Sequence, residues 1–435
     1  MPDVAFLANT TFQHVRVNNI NFFSFERRGS PIFVRVYFYA GSKYNKENGT
    51  AHFLEHMISA GSKKFPSKNL LASYIENVGG KFALTTNSDF ICIDLEVAES
   101  SDCHIIVEIL DQMINHSLFN PIVFEKERSA ILSELSAKKT HPKEFVWDVY
   151  RKLFFQNTEL AKSDLGTEDS IRATTLEDVR SFMGARINDP RGGIEIIMAG
   201  DLKTEKLAQA IGNLFLPRLT KIKDLKTLPI ITDSQFALEE FPSSLANIII
   251  GFRTETRNIK DGVCARICTD YFAGGRSSYL MTQLRYERGL VYDITAFHRL
   301  LQNGSAFAIQ TSCTIKNLVQ VLSVINASFS KVVHASIPDD LLDQAKIKIE
   351  KRAKIELQTS RSWIANNERL VVTDDNQNIF DFLAVVKTIS KKDILEFIQK
   401  NFLDNRKYLA ACGPKSIMDI IKTESNLKES HSQVG

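Results

Sequence analysis

Two histidines and a glutamate stand within five residues of one another in NGTAHFLEHMISAGSK: His52, Glu55 and His56. A helix over Thr50 to Ser59 turns about 100° per residue, so His52 and His56 fall roughly 40° apart, one turn up, and both imidazoles reach one ion. Glu55 stands about 60° to the other side of His52, near enough to touch a water on that ion without joining its ligands. Two imidazoles, one carboxylate and an open position for water make the usual catalytic zinc site. There the metal brings the water's pKa towards neutrality and polarises a carbonyl, while a carboxylate takes the proton and later returns it. The competing reading is plainer. HxxEH arises by chance in roughly one chain in a hundred of this length, and histidines on helices are commonly just packed or solvated. The pentapeptide needs a third ligand.

A candidate lies in FNPIVFEKERSAILSELSAKK. Asn120 is a good N-cap with Pro121 at the first helical position, so a helix starts there. Phe124, Ile131 and Leu135 form its apolar stripe, while Glu127 and Glu134, two turns apart, share a line about 70° to its side. Carboxylates beside a buried stripe are partly desolvated and want a cation. They read equally well as boundary glutamates reaching out to water.

The elements that must position these residues belong to a chain that looks like one fold used twice. TTLEDVRSF leads through a short loop to the apolar strand GIEIIMAGD, and ISKKDILEF leads likewise to YLAACGP. Thr175, Asp178, Val179 and Phe182 match Ser390, Asp393, Ile394 and Phe397 at an offset of 215 residues. The same offset lays IFVRVYF, from Ile32, over NIIIGF, from Asn247. Any α/β domain carries some such patterns, but two passages that agree on one offset point to duplication. The charged, Pro-containing stretch KIKDLKTLPIITDSQ sets the join at 221–235, between an N-terminal domain over 1–220 and a C-terminal domain over 236–435. FICIDLEV alternates, placing Ile91, Ile93, Leu95 and Val97 on one face of a half-buried strand. KNLVQVLSVINASFSKVV and PDDLLDQAKIKIEKRAKIEL read as helices. Helices between strands predict an α+β fold of two similar domains, each a mostly antiparallel sheet packed by helices. The polar tail after Gly413 is expected to fray.

Composition narrows the classes. A chain of 435 residues, 44% hydrophobic and 24% charged, is an ordinary globular protein with room for a sizeable core. A net charge of +3 is too small to argue for nucleic acid or an anionic membrane surface. No apolar run approaches the roughly 20 residues that span a bilayer. MPDVAFLANTTFQHVRV shows neither a secretory nor a transit pattern, so the expectation is a cytoplasmic protein. The six cysteines, Cys92, Cys103, Cys264, Cys268, Cys313 and Cys412, form no CxxC pair and read as reduced and mostly buried. Cys264 and Cys268 lie one helical turn apart, and a packed helix face explains them better than a zinc site without partners.

With these motifs in hand, the sequence resembles the pitrilysin, insulin-degrading enzyme and mitochondrial processing peptidase family of zinc metallopeptidases, the inverzincins named for an inverted HxxEH. The likeness rests on GTAHFLEHM, ENVGGKFALTT, the helix with glutamates at E-x6-E spacing, LGTEDSIRATTLEDV followed by AGD, and FAGGRSSYLMTQLRYERGLVYDI, which together span nearly the whole chain. The resemblance implies that His52, His56 and Glu134 are ligands to one Zn2+ per chain, that Glu55 is the general base and that Glu127 supports the site. It implies that Arg285 and Tyr292, in RYERGLVY, bind substrate from the second domain. Gly289 between them predicts that a helix ends there and Tyr292 begins a strand. The family often has an Asn-Ala pair on the strand that receives the peptide; here it reads Phe82, Ala83, and a backbone can still accept a peptide as an added strand.

The family pairs halves with and without metal, and the 215-residue offset puts Ile267 and Tyr271 opposite His52 and His56. Four such halves close the family's clamshell chamber, so a half-length chain is expected to dimerise, as a homodimer or with a related subunit. The function implied is a zinc endopeptidase acting on unfolded peptides or short polypeptides. The alternatives are a structural or assembly subunit that has lost catalysis and a peptidase dedicated to maturing one product. Manganese or cobalt would support the same chemistry.

Overall fold

Thr175 and Ser390, which carry the repeat, open helices Leu176–Met183 and Lys391–Asn401 with the same capping box, each hydroxyl accepting from the backbone of the Asp three residues on. The computed structural model describes residues 9–219 except 47, residues 234–424 except 257, 303 and 374, and residues 428–429. Most of the join expected at 221–235 lies outside the described residues, and Gln235 already opens a strand.

The first sheet has the order β1-β2-β6-β3-β5-β4, from β1 (Thr10–Val17), β2 (Ile20–Arg27), β3 (Ile32–Phe38), β4 (Lys81–Thr86), β5 (Ile91–Val97) and β6 (Ile194–Gly200). β2 and β6 run parallel and every other neighbouring pair is antiparallel. The second sheet has the order β12-β7-β11-β8-β10-β9, from β7 (Gln235–Glu240), β8 (Leu245–Thr254), β9 (Val291–Leu301), β10 (Gly304–Thr314), β11 (Tyr408–Gly413) and β12 (Lys428–Glu429). From β7 onwards its pairings repeat the first sheet's: parallel, then antiparallel three times. The protein is therefore an α+β molecule of two similar sheet-and-helix domains.

In the first domain Val34, Val36 and Phe38 of β3, with Ile91, Ile93 and Leu95 of β5, pack under helices Thr50–Ala60 and Cys103–Asn115. In the second, Phe252 and Phe307 meet Phe272, Phe329 and Phe402 in an aromatic cluster beneath the corresponding helices. The opposite face of each sheet is covered from elsewhere in the chain. Residues 353–374 group with the first compact unit and residues 137–161 with the second. Helix Ser360–Ala365 lies against β3 and β6, and helix Pro142–Phe154 buries Val146, Tyr150 and Phe154 against β8 and β11.

Three expectations need correction. FICIDLEV is buried on both faces, not one, because Asp94 lies under the returning segment and bonds Arg35 at 2.5 and 2.8 Å and Arg361 at 3.3 Å. The offset of 215 fails at β3 and β8, since it would match Val34, on the helix side of its sheet, to Ile249, which faces the borrowed helix. A shift by one residue restores the faces. Beyond Gly413 the chain forms helix Ser416–Glu424 instead of fraying at once. One stretch, Ile315–Ala335, is long and apolar enough to cross a membrane, with a mean hydropathy of 1.3. Its Leu318, Val321, Leu322, Ile325, Phe329 and Val332 are nevertheless buried as one helical stripe, the pattern of a core helix.

Candidate metal centre

The HFLEH motif lies on helix Thr50–Ala60, as its spacing predicts. That helix has no side-chain cap at Gly49, whose φ of +94° only glycine adopts easily. Asn45 does the work instead: its carboxamide oxygen accepts from the Ala51 N–H at 2.9 Å. Gly49 also lies against the Leu165–Gly166 loop, where a Cβ would come within 3.1 Å of the Leu165 carbonyl. The start of the motif helix is thus set by a tight backbone crossing.

Helix Pro121–Lys139 brings the glutamates. Asn120 caps it, accepting from Ile122 N–H at 2.8 Å, and Phe124, Ile131 and Leu135 are buried as expected. Phe124 stacks on Phe53 of the motif helix with ring centroids 4.4 Å apart, which fixes the two helices side by side. Between them His52, His56 and Glu134 form the one group among the described residues that could hold a metal, with donor atoms all within 4.8 Å of one another.

Glu134 Oε2 is 3.3 Å from His52 Nε2 and 3.8 Å from His56 Nε2. Donors around a tetrahedral zinc, with bonds of about 2.0–2.1 Å, stand roughly 3.3 Å apart. The set of two imidazoles and a carboxylate therefore fits zinc in chemistry and spacing. Glu127 accepts from His56 Nδ1 at 2.7 Å, which leaves Nε2 of that ring for a metal.

Burial and charge act in opposite directions here. Burial lowers the pKa of His52, but hydrogen bonds to Glu134 and then Glu55 outweigh it and bring the ring up to about 9. Burial would raise the pKa of Glu55, yet His52 and the Thr86 hydroxyl hold it below the ordinary value. The His56 hydrogen bond likewise keeps Glu127 low. Glu55 stands outside the three-donor group, with its Oε2 3.4 Å from His52 Nδ1 and 2.7 Å from the Thr86 hydroxyl. Sequence reading does not single out Thr86; the only signal is its place as the last inward residue of FALTT.

Ala83 is exposed on β4, which ends the first sheet and has β5 as its one strand neighbour among the described residues. Arg285 and Tyr292 belong to the second unit. Arg285 lies in the short π-helix Met281–Tyr286, which ends before Gly289 with its φ of +62°, and β9 starts at Val291, so Tyr292 lies at the start of a strand as predicted. The Arg285 guanidinium lies 4.6 Å from the Tyr292 ring centroid, and Tyr292 is 77% exposed. The helix of the second half, Ile259–Ala273, carries no histidine, and Ile267 and Tyr271 are buried in its core.

Such a fold and donor set define a two-domain protein built from two similar halves, one with a three-donor group that fits a metal and one without. Residues 30–168 match the model for insulinase, peptidase family M16, residues 173–349 match that for the peptidase M16 inactive domain, and the chain belongs to peptidase family M16. It is 24% identical to the mitochondrial-processing peptidase subunit beta of Bos taurus over 414 residues, 90% of this chain and 82% of that protein. It is 22% identical to an uncharacterized zinc protease of Streptomyces coelicolor over 381 residues, 84% of this chain and 81% of that one. Among solved structures, the peptidase M16 inactive domain from Pseudomonas fluorescens shares the fold with a TM-score of 0.83 at 18% identity, covering 93% of this chain and 98% of that one.

Proposed function

We propose that this chain is a zinc-dependent endopeptidase that encloses unfolded peptides or short polypeptides and hydrolyses them at the centre formed by His52, His56 and Glu134. The observation that carries the reading is the convergence of those three donors beside Glu55, whose side chain is 13% exposed and held 3.4 Å from His52. Zinc bound there supplies an electrophile for the scissile carbonyl and makes water acidic enough to react near neutral pH. The protein's own residues do the rest. Glu55, a carboxylate at neutral pH, takes a proton from the attacking water as its oxygen bonds to the carbonyl carbon. It returns that proton to the departing amine as the C–N bond breaks. Glu127 holds the His56 ring in the tautomer that leaves Nε2 available. The peptide adds as a strand along β4 at Ala83, where backbone groups align it without demanding a side chain. Arg285, half-buried, and the exposed Tyr292 offer a guanidinium and a hydroxyl for binding substrate.

Closure of the chamber needs a second copy of this chain or a related subunit. The Bos taurus relative is itself named a subunit, which supports an assembly of more than one chain. The test is hydrolysis of a mixture of unstructured peptides by wild type and Glu55→Gln, read by mass spectrometry with zinc present. Cutting by wild type alone supports the reading. If neither cuts although both bind zinc, the chain is a structural subunit or requires a different partner. Enclosure has its own test: a folded protein too large for the chamber should survive while its fragments are cut, and equal cleavage of both would count against it.

A further inference from the structure

Glu55 must swing neither towards solvent nor onto the metal ligands if it is to meet the attacking water, so what fixes its carboxylate matters. Its Oε2 accepts from the Thr86 hydroxyl at 2.7 Å, and its side chain is 13% exposed. Thr86 ends β4. On that strand Phe82 and Leu84 turn inward against the first core, and Thr86 is the next residue on the same face. The inward face therefore runs apolar, apolar, hydroxyl, with the hydroxyl where the core gives way to the site.

The end of β4 is an unusually well-tied point. After Thr86 the chain turns through Asn87, whose carboxamide oxygen accepts from both Asp89 and Phe90 N–H at 2.9 Å. The turn is then bonded to residues 41–43 by Gly41 N–H to Asp89 O at 3.2 Å, Ser42 N–H to Asn87 O at 2.9 Å and Lys43 N–H to Ser88 O at 3.1 Å. A buried ion pair, Lys43 to Asp89 at 2.6 Å, closes it, the two side chains being 8% and 4% exposed. Gly41 allows this approach, since a Cβ there would collide with the Asn87 carbonyl. The Thr86 hydroxyl thus projects from an anchored backbone.

We infer that Thr86 is a positioning residue, whose hydroxyl holds the Glu55 carboxylate against the end of the strand that receives the peptide, so that base and peptide keep one geometry. This rests on the peptidase reading above. Thr86→Val keeps the shape and removes the donor, and Thr86→Ser keeps the donor. With the peptide mixture and zinc present, Thr86→Val should lower kcat by roughly ten- to a hundred-fold, the usual effect of losing such an outer partner, with KM and zinc content unchanged. Thr86→Ser should restore most of kcat. If Thr86→Val does not fold, Thr86→Ala carries the same comparison. An unchanged kcat, a loss that Thr86→Ser does not restore, or a loss that follows zinc content overturns the inference while wild-type cleavage keeps the peptidase reading intact. A wild type that cuts nothing overturns both.

Discussion

Without metal, His52 keeps its proton well above the ordinary range, up to about 9, because Glu134 and Glu55 both face the ring. A metal ligand must be the neutral ring. Zinc loading at neutral pH is therefore expected to release a proton from His52, and zinc affinity should rise from pH 6 towards 9. Titration calorimetry in two buffers of different ionisation enthalpy measures that release directly, and an unchanged apparent enthalpy would contradict it. The sign for stability is opposite. A raised histidine pKa gives the metal-free protein stability that is fully present below about 6.5 and is lost as pH climbs through about 9. Glu127→Gln should weaken zinc binding by about ten- to a hundred-fold without abolishing it, since Glu127 bonds the His56 ring from outside the three-donor group. At this scale the sequence is largely legible. HFLEH, the Asn120-Pro121 helix start and the seven-residue spacing of Glu127 and Glu134 are all local signals. Thr86 is not, because its meeting with Glu55 depends on how the strand ending at residue 86 is registered against a helix thirty residues earlier in the chain.

Elements are legible where one stretch decides them and misleading where a distant one does. Helices Thr50–Ala60, Pro121–Lys139 and Asp339–Glu356 follow from residue spacing, the second also from its Asn120 cap. Strand Ile91–Val97 reads as having one wet face because its alternation places Asp94 there, and nothing nearby reveals that Arg35 and Arg361 will cover it. Asp94 is 4% exposed and bonds both arginines, but Arg35 keeps Glu368 at 2.6 Å and the half-exposed Arg361 keeps Glu96 at 3.6 Å, so Asp94→Ala should cost about 1–3 kcal/mol, measured by denaturant unfolding. A change below about 1 kcal/mol would show that the network is solvated in solution. The start of the motif helix makes a second element-level case. Gly49→Ala forces a left-handed backbone on alanine beside the Leu165 carbonyl and should cost about 1–2 kcal/mol, with zinc affinity falling as His52 shifts.

Across the whole molecule the repeat extends further than two passages can show. From β2 and from β7 onwards the sheets share strand pattern and pairing sense, and each is finished by a segment from the other half of the sequence. The chain's two tryptophans, Trp147 and Trp363, lie one in each of these segments. Trp147 packs on Phe297 with centroids 4.5 Å apart, and Trp363 is buried beside Phe25 at 5.3 Å. Their fluorescence accordingly reports on the exchanged segments alone. Each single mutant, Trp147→Phe or Trp363→Phe, should leave a signal for one sheet, and noncoincident denaturation curves would show that the sheets unfold separately. Exchange is illegible in the sequence because a duplicated helix pattern fits either sheet equally well.

That exchange bears on what happens if the chain is broken. Fragments 1–220 and 235–435 each contain a sheet whose cover resides in the other fragment, so either one made by itself presents an uncovered, largely apolar sheet face and should aggregate. Made together, they should rescue one another and stay associated through denaturant concentrations that would separate domains that merely touch. The molecule is in this sense a ready-made pair of complementing fragments, in which recovery of zinc binding would signal that the two pieces had met.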